Sequence, residues 1–538
     1  MTITYNKNVE AKRLFVNGLL RHEKVGALLP PEAQDCAAKI EFTGSASPSL
    51  AINWRFAESI SALQALQATM VSVLLKRKYD VDAPRVVIDT DHAQLFFMTL
   101  MLFTIDPNDQ RITIGTRSAP GEGLEKYFPS WERHDSWRNL YRAAATNIYK
   151  TKDNRYYHLH EAQAPYVKSV AAMTSAELDH LENDIWRQAG TICYTVDEYR
   201  NCESGKANSH VGLYEVTEYP SQTQQPGWWP STPQTSAQRP LAGLKVVDLS
   251  RIIAAPAISR GLAELGASVM RVVGPHLDDH SRLHPDMSWG KWNTCLDFRK
   301  ADELEAMRNL VGDADVVVLG YRPGVLDKYG LDVDGILGLV EQRGRGVVIV
   351  RENCYGWHGT WSGRSGWQQI SDAVTGVSMQ FGQAMGLDEA VTPVFPNSDF
   401  CTGVCGVVGA LDGLLRRAEK GGSYCISWLV DVCGTYPDDV WRNLWERNGR
   451  PQFRHNDPMS VLLPAYMKMM KEKHAETLLR EDFFEDRACP VIGHSIRTIK
   501  PVLKYPDGEV QLRFNVGTRT NGVDQPYWPS DLTVEVVE

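Results

Sequence analysis

Through the middle of the chain, short apolar runs rich in β-branched residues alternate with helical stretches. LKVVDLS (244–250) reads as extended, a helical pattern continues to about Leu265, and SVMRVV (268–273) is extended again. The alternation goes on through CLDF (295–298), a helix near 301–311, ADVVVLGY (314–321) and VVIV (347–350). Strands separated by helices predict a parallel sheet, because parallel neighbours need a long crossover between them. The expected fold class is α/β, with a Rossmann-like parallel sheet in a large domain.

The first part of the chain is patterned differently. Glu58 to Lys78 predicts a long helix with Ala57, Ile60, Leu63, Leu66 and Met70 along one side, and the strand VVID (86–89) follows. The same order, a helix ending in basic residues and then an extended segment, recurs from Asp399 through Arg417 to CISWLVDV (425–432), as two diverged copies of one unit would give. Between the copies, PSQTQQPGWWPSTPQTSAQRP (220–240) has a composition that forms no packed core of its own. This divides the chain into 1–217, a linker at 218–240, and 241–538. Trp228 and Trp229 predict that the linker docks on a neighbour.

Composition narrows the function. A length of 538 residues exceeds what one core usually supports, and 43% hydrophobic with 23% charged residues is ordinary for a globular chain. A net charge of -9 with no long basic run argues against a sequence-independent grip on nucleic acid. The ten cysteines are scattered and form no CxxC pair, which reads as reduced thiols of a cytosolic type. Met1 to Leu20 lacks the apolar core of a secretory signal, and no run is long enough to span a bilayer. The expected location is cytoplasmic, with an organelle left open and no membrane partner.

The richest stretch is PVFPNSDFCTGVCGVVGALDGLLRRAEKGG (393–422). Asp399 falls where a helix should begin, and Gly403, Gly406 and Gly413 lie near one face of it. Each glycine costs up to about 1 kcal/mol in helix propensity, so their spacing implies close approach of another backbone or a bulky ligand. Helix N–H groups and the macrodipole would hold Asp399 as an anion. On the residues alone, a structural cap and a catalytic carboxylate both stand open.

Four segments in order carry a resemblance: RPLAGLKVVDLSRIIAAPAISRGLAELGASVMRVV (239–273), WNTCLDFRK (292–300), ADVVVLGYRPGVLDKYGLD (314–332) and SGWQQISDAVTG (365–376). Together, and with the spacing to Asp399, they resemble the family III CoA-transferases. The resemblance implies that Asp399 attacks the thioester of a donor acyl-CoA and passes through an enzyme-bound aspartyl-CoA thioester. Coenzyme A and acyl-CoA are then substrates, with no tightly bound cofactor, and the partners are an acyl-CoA and a carboxylic acid. By matching position, Ile252, Ile253 and Ala254 line the CoA path, Leu296 and Arg299 lie near the adenine, and Tyr321, Lys328 and Tyr329 lie further along. Arg271 and Arg322 are the implied phosphate partners, although any one of these basic residues taken alone also reads as a solvated surface charge. Members of the family are dimers, so a homodimer or an intramolecular pseudo-dimer is implied.

Departures from the family pattern keep two other readings in view. Gly320 stands where the family often has Asn, Lys291 and Trp292 replace its Lys-Arg pair, and no flexible glycine run follows Asp399. A chain altered in this way could be a catalytically silent CoA-binding or scaffold protein. The related α-methylacyl-CoA racemases use a histidine where this chain has Trp367, so racemisation would need another base such as His358.

NWRFAESISALQALQATMVSVLLKRKYDVDAPRVVIDTDHAQL (53–95) is similar to the family's Asp-bearing helix, with Glu58 or Ser59 in the aspartate's place, and reads as chemically silent. NIYKTKDNRYYHLHEAQAP (147–165) and GTICYTVDEYR (190–200) resemble the family's smaller α+β domain, which implies a tandem, fused architecture. Neither Cys401 with Cys405 nor His158 with His160 completes a tetrahedral ligand set, and no metal is predicted.

Overall fold

The computed structural model describes residues 5–106, 112–113, 123–132, 146–160, 166–428 and 434–538. Near the N-terminus, β1 (Ile40–Thr43) precedes α1 (Phe56–Tyr79) and β2 (Val86–Asp89). The expected single apolar stripe on α1 understates its burial, since every residue from Phe56 to Leu75 is buried. Polar residues survive inside the core because they bond locally: the hydroxyls of Thr69 and Ser72 donate to the carbonyls of Ala65 and Ala68 at 2.8 and 2.9 Å.

A small antiparallel sheet follows, made of β3 (Asn147–Lys150), β4 (Tyr156–His160) and β5 (Ala189–Ile192). It occupies the region read as the smaller α+β domain. Residues 161–165 of that reading lie outside the described residues.

The large sheet has seven strands. Its chain order is β6 (Tyr214–Tyr219), β7 (Lys245–Leu249), α2 (Ala254–Glu264), β8 (Ser268–Val273), β9 (Lys291–Cys295), α3 (Ala301–Asp313), β10 (Val316–Leu319), α4 (Val333–Val340) and β11 (Val348–Arg351). Then come α5 (Gln368–Val374), α6 (Asn397–Lys420) and β12 (Ser423–Trp428). The spatial order is β9-β8-β7-β10-β11-β12-β6, parallel except for β6 at one edge. This is the doubly wound order, and the winding reverses between β7 and β10, the point at which sheets of this order bind ligands. Every residue of β8 and β10 is buried, which is why both read as unbroken apolar runs.

One expected strand is displaced. CLDF (295–298) is not a strand; β9 occupies Lys291–Cys295 and pairs in register with β8 from Val269↔Lys291 to Val273↔Cys295. Its polar residues disguise it: buried Lys291 reaches the Asp248 carboxylate at 3.0 Å and the Pro256 carbonyl at 2.8 Å. Past Cys295 the chain turns, and the Asp297 carboxylate accepts from the Arg299 backbone N–H at 3.1 Å. The strand expected at 425–432 is described as β12 to Trp428, and 429–432 lie outside the described residues.

The C-terminal part returns to the first half. β13 (Phe484–Cys489) and β14 (His494–Ile499) form a hairpin whose second strand pairs with Thr104–Ile105, and β15 (Leu503–Lys504) pairs antiparallel with β2. β6 meanwhile runs across the boundary drawn at 217/218 and joins β12. The linker is docked as expected: Trp229 is buried, donates to the Ala242 carbonyl at 2.9 Å, and carries Lys78 Nζ 3.4 Å from its ring centroid. Among the described residues two helices, α1 and α6, are long and apolar enough to cross a membrane; their most apolar windows are 100% and 89% buried, as in core helices.

Candidate active site

The glycines of α6 set the geometry around Asp399. A Cβ on Gly403 would lie 2.5 Å from the Cβ of Ala257, Gly406 abuts Ile258, and a Cβ on Gly261 would lie 2.6 Å from Val407. The close approach expected from the glycine spacing is thus to a helix, α2, and the two helices run side by side in the same direction. One turn earlier on each, this register brings Asp399 to the level of Ile253 and Ala254, where α2 begins. The third glycine, Gly413, faces Val348 of β11 instead, at 2.6 Å from a built Cβ.

Asp399 is the third residue of α6, inside the first turn, and not its cap, which is Pro396. The residue as a whole is half-buried. Against the helix end, which favours the anion, burial raises the pKa well above the ordinary carboxylate value, and repulsion from Glu352 adds to it. Among the described residues no hydrogen bond to that carboxyl is recorded, while the neighbouring Asn397 Oδ1 and Ser398 Oγ are buried without partners.

Glu352 immediately follows β11 and is itself pushed up to about 7 by burial. It went unnoticed in the sequence because an acid after a strand reads as ordinary loop charge. The Cys354 thiol shares the same acidic neighbourhood, raised by burial first and then by Glu352, Asp399 and Asp372.

The loop from β7 to α2 is strained where the CoA path was expected. Ile252 has φ 75°, a left-handed conformation that is an outlier for a β-branched residue and costs on the order of 1–3 kcal/mol. Gly320 explains its own departure from the family pattern: a Cβ there would lie 2.5 Å from that of Ala255 and 2.7 Å from that of Ser250, so only glycine lets the end of β10 pass under the loop. Arg251 in the same loop has a buried Nε without a partner.

The remaining expected residues follow strand ends on this same edge, in part. Ile252, Ile253 and Ala254 are partly exposed after β7. Leu296 is buried and Arg299 exposed just past β9, with Arg299 held by Asp297 at 2.7 and 2.6 Å. Tyr321 follows β10 with its hydroxyl raised to about 12 by burial, and Tyr329 meets Phe298 edge to face at 5.5 Å. Lys328 is exposed, 5.0 Å from the ring of Tyr329. Arg322 is exposed and donates to the Arg187 carbonyl at 3.0 Å.

Arg271 is the exception among these. It is buried in β8 and engaged by Asp279 at 2.7 Å and Asn521 at 2.7 Å, so a phosphate could reach it only by breaking that set. Among the described residues, Arg251, which was not among the expected phosphate partners, has a buried Nε with no hydrogen-bond partner.

A twin of this site lies in the first half. α1 and α6 are both 24 residues long, and the residues ahead of them share a backbone conformation: Arg55 at φ -75°, ψ 61° and Pro396 at φ -76°, ψ 59°. Glu58 is the third residue of α1 and therefore the counterpart of Asp399, which decides between Glu58 and Ser59. It is fully buried, and its two oxygens accept from Tyr5 at 2.7 Å and Tyr436 at 3.1 Å. Burial raises its pKa against those hydrogen bonds.

Trp367 lies flat on His160 of β4, with ring centroids 5.1 Å apart and planes 16° apart. His158 is buried and His160 partly so, and burial pushes both down to about 3, which keeps both neutral. Cys401 and Cys405 are buried thiols. His358, the alternative base considered for racemisation, is held by Glu215 at 2.7 Å.

Comparison with known proteins bears on what this arrangement does. The model of CoA-transferase family III matches residues 241–455. Over 98% of this chain and 94% of the relative, the sequence is 43% identical to the acetyl-coenzyme A transferase nodX of Hypoxylon pulicicidum. It is 32% identical to an acyl-CoA transferase of Gibberella moniliformis, over 61% of this chain and 59% of the relative. Among solved structures, a CAIB/BAIF family protein from Brucella suis is 25% identical over 40% of this chain and 59% of that one, with a TM-score of 0.31.

Proposed function

The chain belongs to CoA-transferase family III and is a CoA-transferase, and on that premise we propose that Asp399 is its covalent nucleophile. The carboxylate attacks the carbonyl carbon of the donor thioester, the C–S bond breaks, and CoA leaves as a thiolate from a mixed anhydride. The thiolate then attacks the Asp399 acyl carbon and releases the donor acid as its carboxylate. An aspartyl-CoA thioester remains, and the acceptor carboxylate collects CoA by the same steps in reverse. The thioester bond energy is conserved because each leaving group is the next nucleophile.

One observation carries this reading: the carboxyl of a half-buried residue, without a recorded hydrogen-bond partner among the described residues, stands level with a strained loop at the switch point of a parallel sheet. Desolvation suits the role, since a carboxylate stripped of water is a stronger nucleophile once ionised. Arg251, beside the start of α2, is the phosphate partner this geometry favours over Arg271. Phe298 and Tyr329 offer an aromatic pair to the adenine. Glu58, sealed by two tyrosines, takes no part, so each chain holds one working centre.

Acetyl-CoA, the thioester in the name of the 43% identical relative, is the first donor to try. Incubation with acetyl-CoA should add one CoA per chain by intact mass, removable with hydroxylamine. Asp399→Ala should abolish the adduct and slow turnover by about three orders of magnitude or more, whereas Glu58→Gln should keep it. An adduct that persists without Asp399, or one that vanishes with Glu58→Gln in a folded protein, would reject the assignment.

A further inference from the structure

We propose that His210, Glu215 and His358 form a binding site for a divalent transition-metal ion of the zinc class, separate from the CoA chemistry. The sequence could not show it, because folding brings His358 to two residues from the opposite side of the linker. Their ligand atoms all lie within 4.8 Å of one another. One Glu215 oxygen is 2.7 Å from His358 Nε2 and the other is 3.2 Å from His210 Nε2, and the two imidazoles stand 4.6 Å apart at 67°.

Two neutral nitrogens and one carboxylate are the donor set of open, three-ligand zinc sites. Bonds of about 2.0–2.1 Å in a tetrahedron need ligand atoms roughly 3.4 Å apart, so the ion enters by replacing the shared protons, parting the Glu215–His358 contact by less than about 1 Å and drawing in the wider of the pairs, all of which lie within 4.8 Å. The side chains are 58%, 28% and 40% exposed for His210, Glu215 and His358, which allows that shift and leaves a fourth position to water. Imidazole pairs select zinc, copper, nickel or cobalt over magnesium and calcium, which prefer oxygen ligands.

The backbones behind the ligands are already fixed. Buried Asn208 donates to the His358 carbonyl at 2.9 Å and accepts from the His358 N–H at 3.3 Å, which laces that loop to the helix ahead of His210. Glu215 is in β6, paired with Ser427 of β12. A ligand set on rigid supports loses little entropy when the ion arrives. The ion would pin the segment after Glu352 to the edge of the large sheet.

The metal-free full chain titrated with Co2+ should show the visible absorption of a tetrahedral nitrogen and oxygen field at one ion per chain. Zn2+ should displace the Co2+, and Mg2+ should not. His210→Ala and His358→Ala should each weaken Zn2+ binding by more than about 100-fold, beyond the 10- to 100-fold cost of disturbing an outer-sphere partner. Formation of the acetyl-CoA adduct by His210→Ala reports that the variant is folded. Binding of Zn2+ with unchanged affinity and stoichiometry in both variants, or no binding by the parent chain, would overturn the site whatever the adduct experiment gives.

Discussion

Asp399 and Glu352 repel each other in a place that already disfavours charge, and whichever ionises second bears the repulsion. At Asp399, the nucleophile proposed above, this repulsion adds to burial in raising the pKa. Replacing Glu352 with Gln removes the repulsion, lowers the Asp399 pKa and enlarges its anionic fraction at a given pH. The acid limb of the kcat/KM profile should therefore move to lower pH; a limb that stays in place or moves up would show that the two carboxyls are not coupled. The place of Asp399 at the start of a helix was legible from its motif, its spacing and the glycines after it. Glu352 was not, because no periodicity marks a residue beyond a strand end. The burial of Arg271 was not legible, because Asp279 and Asn521, which hold it, lie at other places in the chain.

At the scale of elements, β-branched runs located most of the large sheet, and SVMRVV matches its strand residue for residue. β9 was misplaced because its lysine, asparagine and threonine hide burial, and a charge buried against Asp248 leaves no apolar signal. The glycine face of α6 was visible while its partner α2 was not, since spacing shows that something comes close but not what. This pairing gives a direct test. Gly403→Val should push α2 and α6 apart and lower stability by about 1–3 kcal/mol, the usual cost of overpacking. It should also slow adduct formation, because Asp399 and Ile253 are one turn away. Thermal denaturation and adduct kinetics together check this; a variant as stable as the parent would mean that the helices do not touch there.

For the whole molecule, composition and the Pro/Gln-rich linker suggested two consecutive halves, yet the chain weaves between them. β15 completes the sheet of β2, β14 pairs with Thr104–Ile105, and β6 closes the edge of the large sheet. Tyr5 and Tyr436, from opposite ends of the chain, share Glu58. Pairings between segments so distant leave no trace in local patterns. Produced separately, 1–240 and 241–538 should each lack a cooperative unfolding transition, because each would expose unpaired strand edges and half of the α1–α6 contact. Calorimetry on the two pieces tests this, and a sharp transition in either would show that it folds alone.

The late pairing of Leu503 with Ile88 also bears on how the protein is made. On the ribosome, β2 must wait with one edge bare until Leu503 and Lys504 have emerged, long after β2 itself is made. A chain truncated shortly before Leu503 would carry an intact Asp399 and all of its surroundings in sequence, and would still be a target for chaperones and proteases.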